Sequence, residues 1–285
     1  MSDLTSLVIG TIALRPYVFL FFAVYLLAGT RDLGVGRALA FTGWAWGVAF
    51  LAEFSSTRSG VPFGLYHYTE ATRGQELFLA NVPVMDSLSF TFLAYASFSL
   101  ARLLLARSQG VSVVLVSGLL MMLLDVVIDP LAVRGDRWFL GRIFSYPEGG
   151  VYFGVPLSNF LGWAIVGWVI VGGFGGVARL TTGAPSRTVG ARRRGPVLGA
   201  ALYYGVLIFN LAVTWWIGEP MLLAVGTLLH AAAAALLLSF LPRTRMGLTD
   251  DTTTSHPLPA SSAGFAGAAL GGGIGRGAKS PSEVR

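Results

Sequence analysis

Seven stretches of near-continuous apolar sequence dominate the chain, and each has about the 20 residues an α-helix needs to cross a hydrocarbon core. They fall at about 6–28, 36–54, 86–106, 111–130, 156–177, 196–217 and 220–241. The pattern predicts an all-α fold, a polytopic membrane helix bundle of about seven transmembrane helices occupying residues 1–241. Past that point the pattern stops: DDTTTSHPLPASSAG and GAALGGGIGRGAKSPSEVR hold too little apolar surface to order themselves, so 242–285 reads as a disordered tail. Met1 to Ser6 carry no basic residue and the first run is long enough to span, unlike a cleavable signal.

Composition agrees with a lipid environment: 54% of residues are hydrophobic and only 12% charged, against about 25% charged in soluble domains. Without cysteine, disulfides and thiol chemistry are excluded. The net charge of +6 does not point to nucleic acid, because the arginines sit in short loops between apolar runs. The loops after spans one, three and five, with the start of the tail, hold Arg31, Arg37, Arg102, Arg107, Arg179, Arg187, Arg192, Arg193, Arg194, Arg243 and Arg245. The opposite loops hold Arg58, Arg73, Arg134, Arg137 and Arg142. The positive-inside rule then predicts a multi-pass protein of the inner cell membrane, N-terminus outside and C-terminus cytoplasmic.

Polar groups within the spans are the informative departures, since a charge at the centre of a membrane helix costs roughly 2.5 to 3.5 kcal/mol on insertion scales. Glu53, Asp86, Asp125 and Asp129, with Asn159, Asn210 and Arg15, all fall toward the outer ends of their helices, while the cytoplasmic halves are nearly all apolar. Convergence on one chamber is expected. Asp125 and Asp129 are four apart and share a helix face. Paired carboxyls in low dielectric repel when both are ionised, so such a pair is suited to hold a proton and act as a Brønsted acid. The plainer alternatives are that Asp129 caps the turn before Pro130 and pairs with Arg134, that Glu53 pairs with Arg58 or Arg15, and that Glu219 and Asp86 merely mark helix ends. Arg15, deep in its span beside Pro16, reads as a counter-ion to the acids. His67, in GLYHYT, is the only histidine of an outer loop; no metal site is expected, because the three histidines lack ligand spacing. Gly172, Gly173, Gly175 and Gly176 read as close-packing positions between helices.

The two long outer loops, 55–85 and 131–155, are rich in glycine and aromatics and are expected to cap the chamber. VPVMDSLSF at 82–90 and VPLSNFLGW at 155–163 share Val-Pro-x-x-Asp/Asn at the head of a span. The echo raises a duplicated two-helix unit, spans two–three against four–five.

EFSSTRSGVPFGLYHYT, LLDVVIDPLA and above all GGVYFGVPLSNFLGW resemble the CruF-type carotenoid 1,2-hydratases of the carotenoid biosynthesis membrane proteins, over about residues 10–240. The resemblance implies an integral membrane enzyme that adds water across the terminal 1,2 double bond of an acyclic ψ end group. Substrates of such families include lycopene, γ-carotene and C50 bacterioruberin precursors, and no cofactor is implied. The expected partners are a lipophilic carotenoid, the bilayer and other enzymes of the pathway. Protonating a trisubstituted alkene gives a tertiary cation for water to capture, which needs a desolvated acid, an aromatic lining and a group to take the water's proton. Asp125 or Asp129 is the candidate donor, and Glu53 or Asp86 the candidate acceptor. Arg15, His67, Tyr66, Asn159, Asn210 and Trp163 are candidates for holding water or substrate. A carotenoid cyclase or isomerase would use the same acid chemistry. A proton-coupled transporter would need polar groups in both leaflets, and a purely structural role is the remaining alternative.

Overall fold

The computed structural model describes residues 3–107, 109–182 and 194–239, so the expectation of a disordered tail lies outside the described residues. Among them, seven helices are long and apolar enough to cross a membrane: α2 (Pro16–Leu33), α3 (Val35–Ser59), α4 (Val84–Leu104), α5 (Val111–Ala132), α6 (Leu157–Thr182), α7 (Arg194–Trp216) and α8 (Pro220–Ser239). The chain is an all-α polytopic membrane bundle. α4 lies at its centre with 78% of its apolar window buried, packed against α2, α3, α5 and α7, whereas α8 has 17% buried on the periphery.

The first apolar run is not one helix. It breaks into α1 (Leu4–Leu14) and α2, with Arg15 at the junction in a non-helical conformation (φ −139°, ψ 61°). Pro16 explains the break: the residue before proline is driven out of the helical region, and proline itself fits the first position of the next helix. α1, with 11 residues, is too short to cross and instead lies against loop 70–79, where Thr11 Oγ1 accepts the Leu77 amide at 2.8 Å.

α3 runs on through FSSTRS to Ser59 and stops at Gly60, whose left-handed φ of 78° no β-carbon would favour. Glu53 is therefore inside a helix rather than at its tip. The two long loops fold into small antiparallel pieces: β1 (His67–Tyr68) pairs with β4 (Phe144–Ser145), and β2 (Phe78–Leu79) with β3 (Val82–Pro83). Together they cover the end of the bundle where α3 and α5 finish and α4 and α6 begin.

Close packing is set only partly where expected. A β-carbon on Gly118 of α5 would lie 2.2 Å from Trp168 Cδ1, and one on Gly167 of α6 would lie 2.9 Å from the Gly118 α-carbon, so these two glycines let α5 and α6 touch. Of the four glycines singled out on α6, Gly173 meets Trp44, Gly172 makes ordinary contact, and Gly175 and Gly176 face open space. Arg102, counted among loop arginines, belongs to α4 and turns inward: its two terminal nitrogens grip both Asp32 oxygens at 2.8 and 2.9 Å, with the Tyr95 hydroxyl donating to Asp32 at 3.1 Å. The end of the bundle away from the capping loops thus carries one buried ion pair that the apolar reading of those half-helices did not anticipate.

Candidate functional site

Beneath the capping loops lies a cavity whose wall includes Glu53, Asp86, Asp129, Asn159 and Asn210. These groups come from α3, α4, α5, α6 and α7, each helix delivering one polar group near its end in an otherwise apolar run. Asp125 sits one turn below Asp129, fully buried and behind the wall, while Asp129 is 8% exposed.

Asn159 joins the two aspartates. Its amide nitrogen donates to Asp125 Oδ2 at 2.6 Å and to Asp129 Oδ2 at 2.8 Å. One amide nitrogen bonded to an oxygen of each holds the two carboxyls side by side, where a proton on one of them relieves their repulsion. The Tyr146 hydroxyl approaches Asp129 Oδ2 at 3.5 Å, whereas Asp125 Oδ1 has no partner. Arg134, the alternative partner for Asp129, is engaged elsewhere, donating to the Pro130 and Phe153 carbonyls and pairing with Glu219.

Glu53 is held differently. Tyr68 donates to its Oε1 at 3.0 Å and Ser87 to its Oε2. The carboxyl is 3% exposed and accepts at both oxygens; neither Arg58 nor Arg15 reaches it. Burial pushes the Tyr66, Tyr68 and Tyr146 hydroxyls well above the ordinary phenol range, and the nearby carboxylates push the same way. All three stay protonated and serve as donors.

The rest of the wall is apolar and aromatic. Phe90 and Trp163 stack at 4.2 Å between ring centres, beside the acids. An arm of the cavity runs between α2, α4 and α7 along Tyr17, Phe21, Phe92 and Phe209, with Tyr17 and Phe209 stacked at 5.1 Å. Ring faces near a cationic centre stabilise it by about 0.5 to 2 kcal/mol each.

The sequence-predicted residues thus divide. Glu53, Asp86, Asp129, Tyr66, Asn159, Asn210 and Trp163 meet at one cavity, with Asp125 immediately behind. Two do not join them. Arg15 pairs with Glu76 at 2.9 Å in a fully buried contact under α1, so its balancing charge is in the loop and not among the four acids. His67 is exposed, because β1 alternates: Tyr66 and Tyr68 point inward and the residue between them outward. Tyr68, Tyr146 and Ser87 carry hydrogen bonds to the acids yet were not singled out as site residues. The alternation of Tyr-His-Tyr is the signal that would have found Tyr68.

Comparison with known proteins identifies the family. A 184-residue segment is 32% identical to a protein of Haloarcula japonica described as bisanhydrobacterioruberin hydratase. That alignment covers 60% of this chain and 57% of the relative, so the chain spans under two thirds of the relative's length. No solved structure matches. The family model for carotenoid biosynthesis proteins matches residues 7–233, most of the described bundle, and the chain belongs to the carotenoid biosynthesis protein family.

Proposed function

We propose that the protein is a membrane-embedded carotenoid hydratase that adds water across the terminal 1,2 double bond of an acyclic end group to give a tertiary alcohol. The observation that carries this reading is the Asp125–Asn159–Asp129 cluster: two buried carboxyls joined by one amide, one of them on the wall of an aromatic cavity. The polyene would occupy the apolar arm and present its end group to Asp129. Asp129, backed by Asp125, would deliver the proton, the aromatic walls would surround the cation, and water held among Asn159, Asn210 and Glu53 would capture it. A proton donor placed in this way contributes roughly 10²- to 10⁴-fold. The arginine distribution supports an orientation with the capped, acidic end facing outward. The hydratase among the relatives supports water as the nucleophile over ring closure.

The test is expression in a host that accumulates lycopene, with mass analysis of the pigments. Hydration adds the elements of water, whereas cyclisation or isomerisation leaves the mass unchanged. Asp129→Asn and Asp125→Asn should each remove the hydroxylated product while the protein remains in the membrane. Full activity in both variants would take the aspartate pair out of the mechanism.

A further inference from the structure

The packing of the central four helices comes in matched pairs. α3 and α5 run one way and α4 and α6 the other, and the crosswise contacts both exist: α3 packs on α6, and α4 on α5. Each return helix opens on Val-Pro, and each of these valines closes a tight antiparallel pair with the residue three positions earlier, Val82 with Leu79 and Val155 with Tyr152. Phe90 and Trp163 occupy the same position in the two Val-Pro segments and stack on each other at 4.2 Å with ring planes 11° apart. A residue meets its own counterpart only on a two-fold axis.

The loops agree. Tyr66-His67-Tyr68 and Phe144-Ser145-Tyr146 align, and the antiparallel register sets His67 opposite Ser145, the middle residue of one against the middle of the other. Matched residues on the two sides then reach matched acids: Tyr68 donates to Glu53 at 3.0 Å, and Tyr146 approaches Asp129 at 3.5 Å. Asp86 corresponds to Asn159, each at the fifth position of its Val-Pro segment.

The two halves differ where the chemistry would differ. On the α5–α6 side, Asn159 holds Asp129 against a second carboxyl, an arrangement that stores a proton. On the α3–α4 side, Glu53 accepts from two hydroxyls, Tyr68 and Ser87, an arrangement that suits a proton acceptor. We propose that α3–α4 and α5–α6 are two copies of one helix–loop–helix unit about an axis along the membrane normal, and that they have divided one reaction: the second copy gives the proton, and the first, with Tyr68 as the positioning residue of Glu53, directs water onto the cation and takes its proton.

The inference rests on the hydration reading. In balanced form, a proton leaves the Asp129 carboxyl for the less substituted alkene carbon, the π electrons forming the new C–H bond and leaving a tertiary cation. Water oxygen forms the C–O bond, and its surplus proton passes to Glu53. Glu53 then releases that proton to water in the cavity, and the aspartate pair is recharged from the same water. If the water is misplaced, the cation loses a proton to the donor carboxylate and returns to the olefin.

Membranes containing the full chain, given lycopene in D2O, test the division. Wild type should form alcohol with deuterium on the carbon beside the carbinol. Tyr68→Phe should lower the alcohol by roughly tenfold, the order of one hydrogen bond of about 1.4 kcal/mol, while deuterium builds up in recovered, unhydrated lycopene. Tyr146→Phe should lower alcohol and deuterium exchange together. Ser87→Ala, which removes the other donor to Glu53, repeats the Tyr68→Phe pattern and serves if that variant does not accumulate. Equal loss of alcohol and exchange in Tyr68→Phe and Ser87→Ala would overturn the division while leaving hydration standing. A wild type that neither hydrates nor exchanges would overturn both.

Discussion

At the scale of residues, the chamber is governed by what donates to each carboxyl. Three phenols, the buried Tyr66 and Tyr68 and the half-buried Tyr146, remain protonated well past the ordinary phenol value of 10.0. Up to about pH 10 the folded and unfolded chains both keep these protons and stability is indifferent to them. Above that value only the unfolded chain releases them, so stability falls by up to about 1.4 kcal/mol per pH unit for each phenol. A thermal melt in detergent between about pH 8 and 11 should show the loss beginning near 10, and Tyr68→Phe should flatten it. The acids themselves were legible in the chain because a carboxylate among leucines and valines is an expense that needs a reason. Their hydrogen-bond donors were not. Tyr68 and Ser87 are unexceptional residue types; Tyr68 faces an acid through the side-chain alternation of a two-residue strand, and Ser87 through the buried face of α4. Arg15 shows the same limit: its charge in an apolar run was visible, but its partner Glu76 lies across a loop whose path only tertiary packing sets.

At the scale of elements, hydropathy located the spans to within a few residues, because length and apolarity are local properties. The errors occur where a local rule was overridden or overlooked. Pro16 splits the first run in two, and α3 outlasts its apolar stretch because Ser56 and Thr57 turn inward. The α5–α6 contact depends on small residues, and it predicts an asymmetry among glycines. Gly118→Val should push the helices apart against Trp168 and the Ala164 carbonyl 2.6 Å away, lowering the melting temperature by several degrees. Gly175→Ala should be neutral or slightly stabilising, since nothing lies within 4 Å of the new carbon and alanine favours a helix.

At the scale of the molecule, charge is handled at both ends of the bundle by different means. The capped end gathers carboxyls without a basic partner around a cavity, with the buried Arg15–Glu76 pair beside them. The other end locks α2 to α4 through Asp32 and Arg102, each almost wholly buried. Removing one partner of such a pair costs about 3–5 kcal/mol, because the other charge is left stranded. On the proposed reading, carboxyls without a basic partner serve proton transfer at the cavity, and compensated charge serves where the helices must hold position.

If the proposed hydration holds, the chamber beneath the loops also bears on order in time. A long polyene with two reactive termini can seat only one of them against Asp129, while the other lies along the aromatic arm or beyond it in the lipid. To modify the second terminus, the molecule must back out, turn end for end and enter again. A time course with a symmetric substrate should therefore show a singly hydroxylated pigment rising first and then giving way to the doubly hydroxylated one, each released between visits.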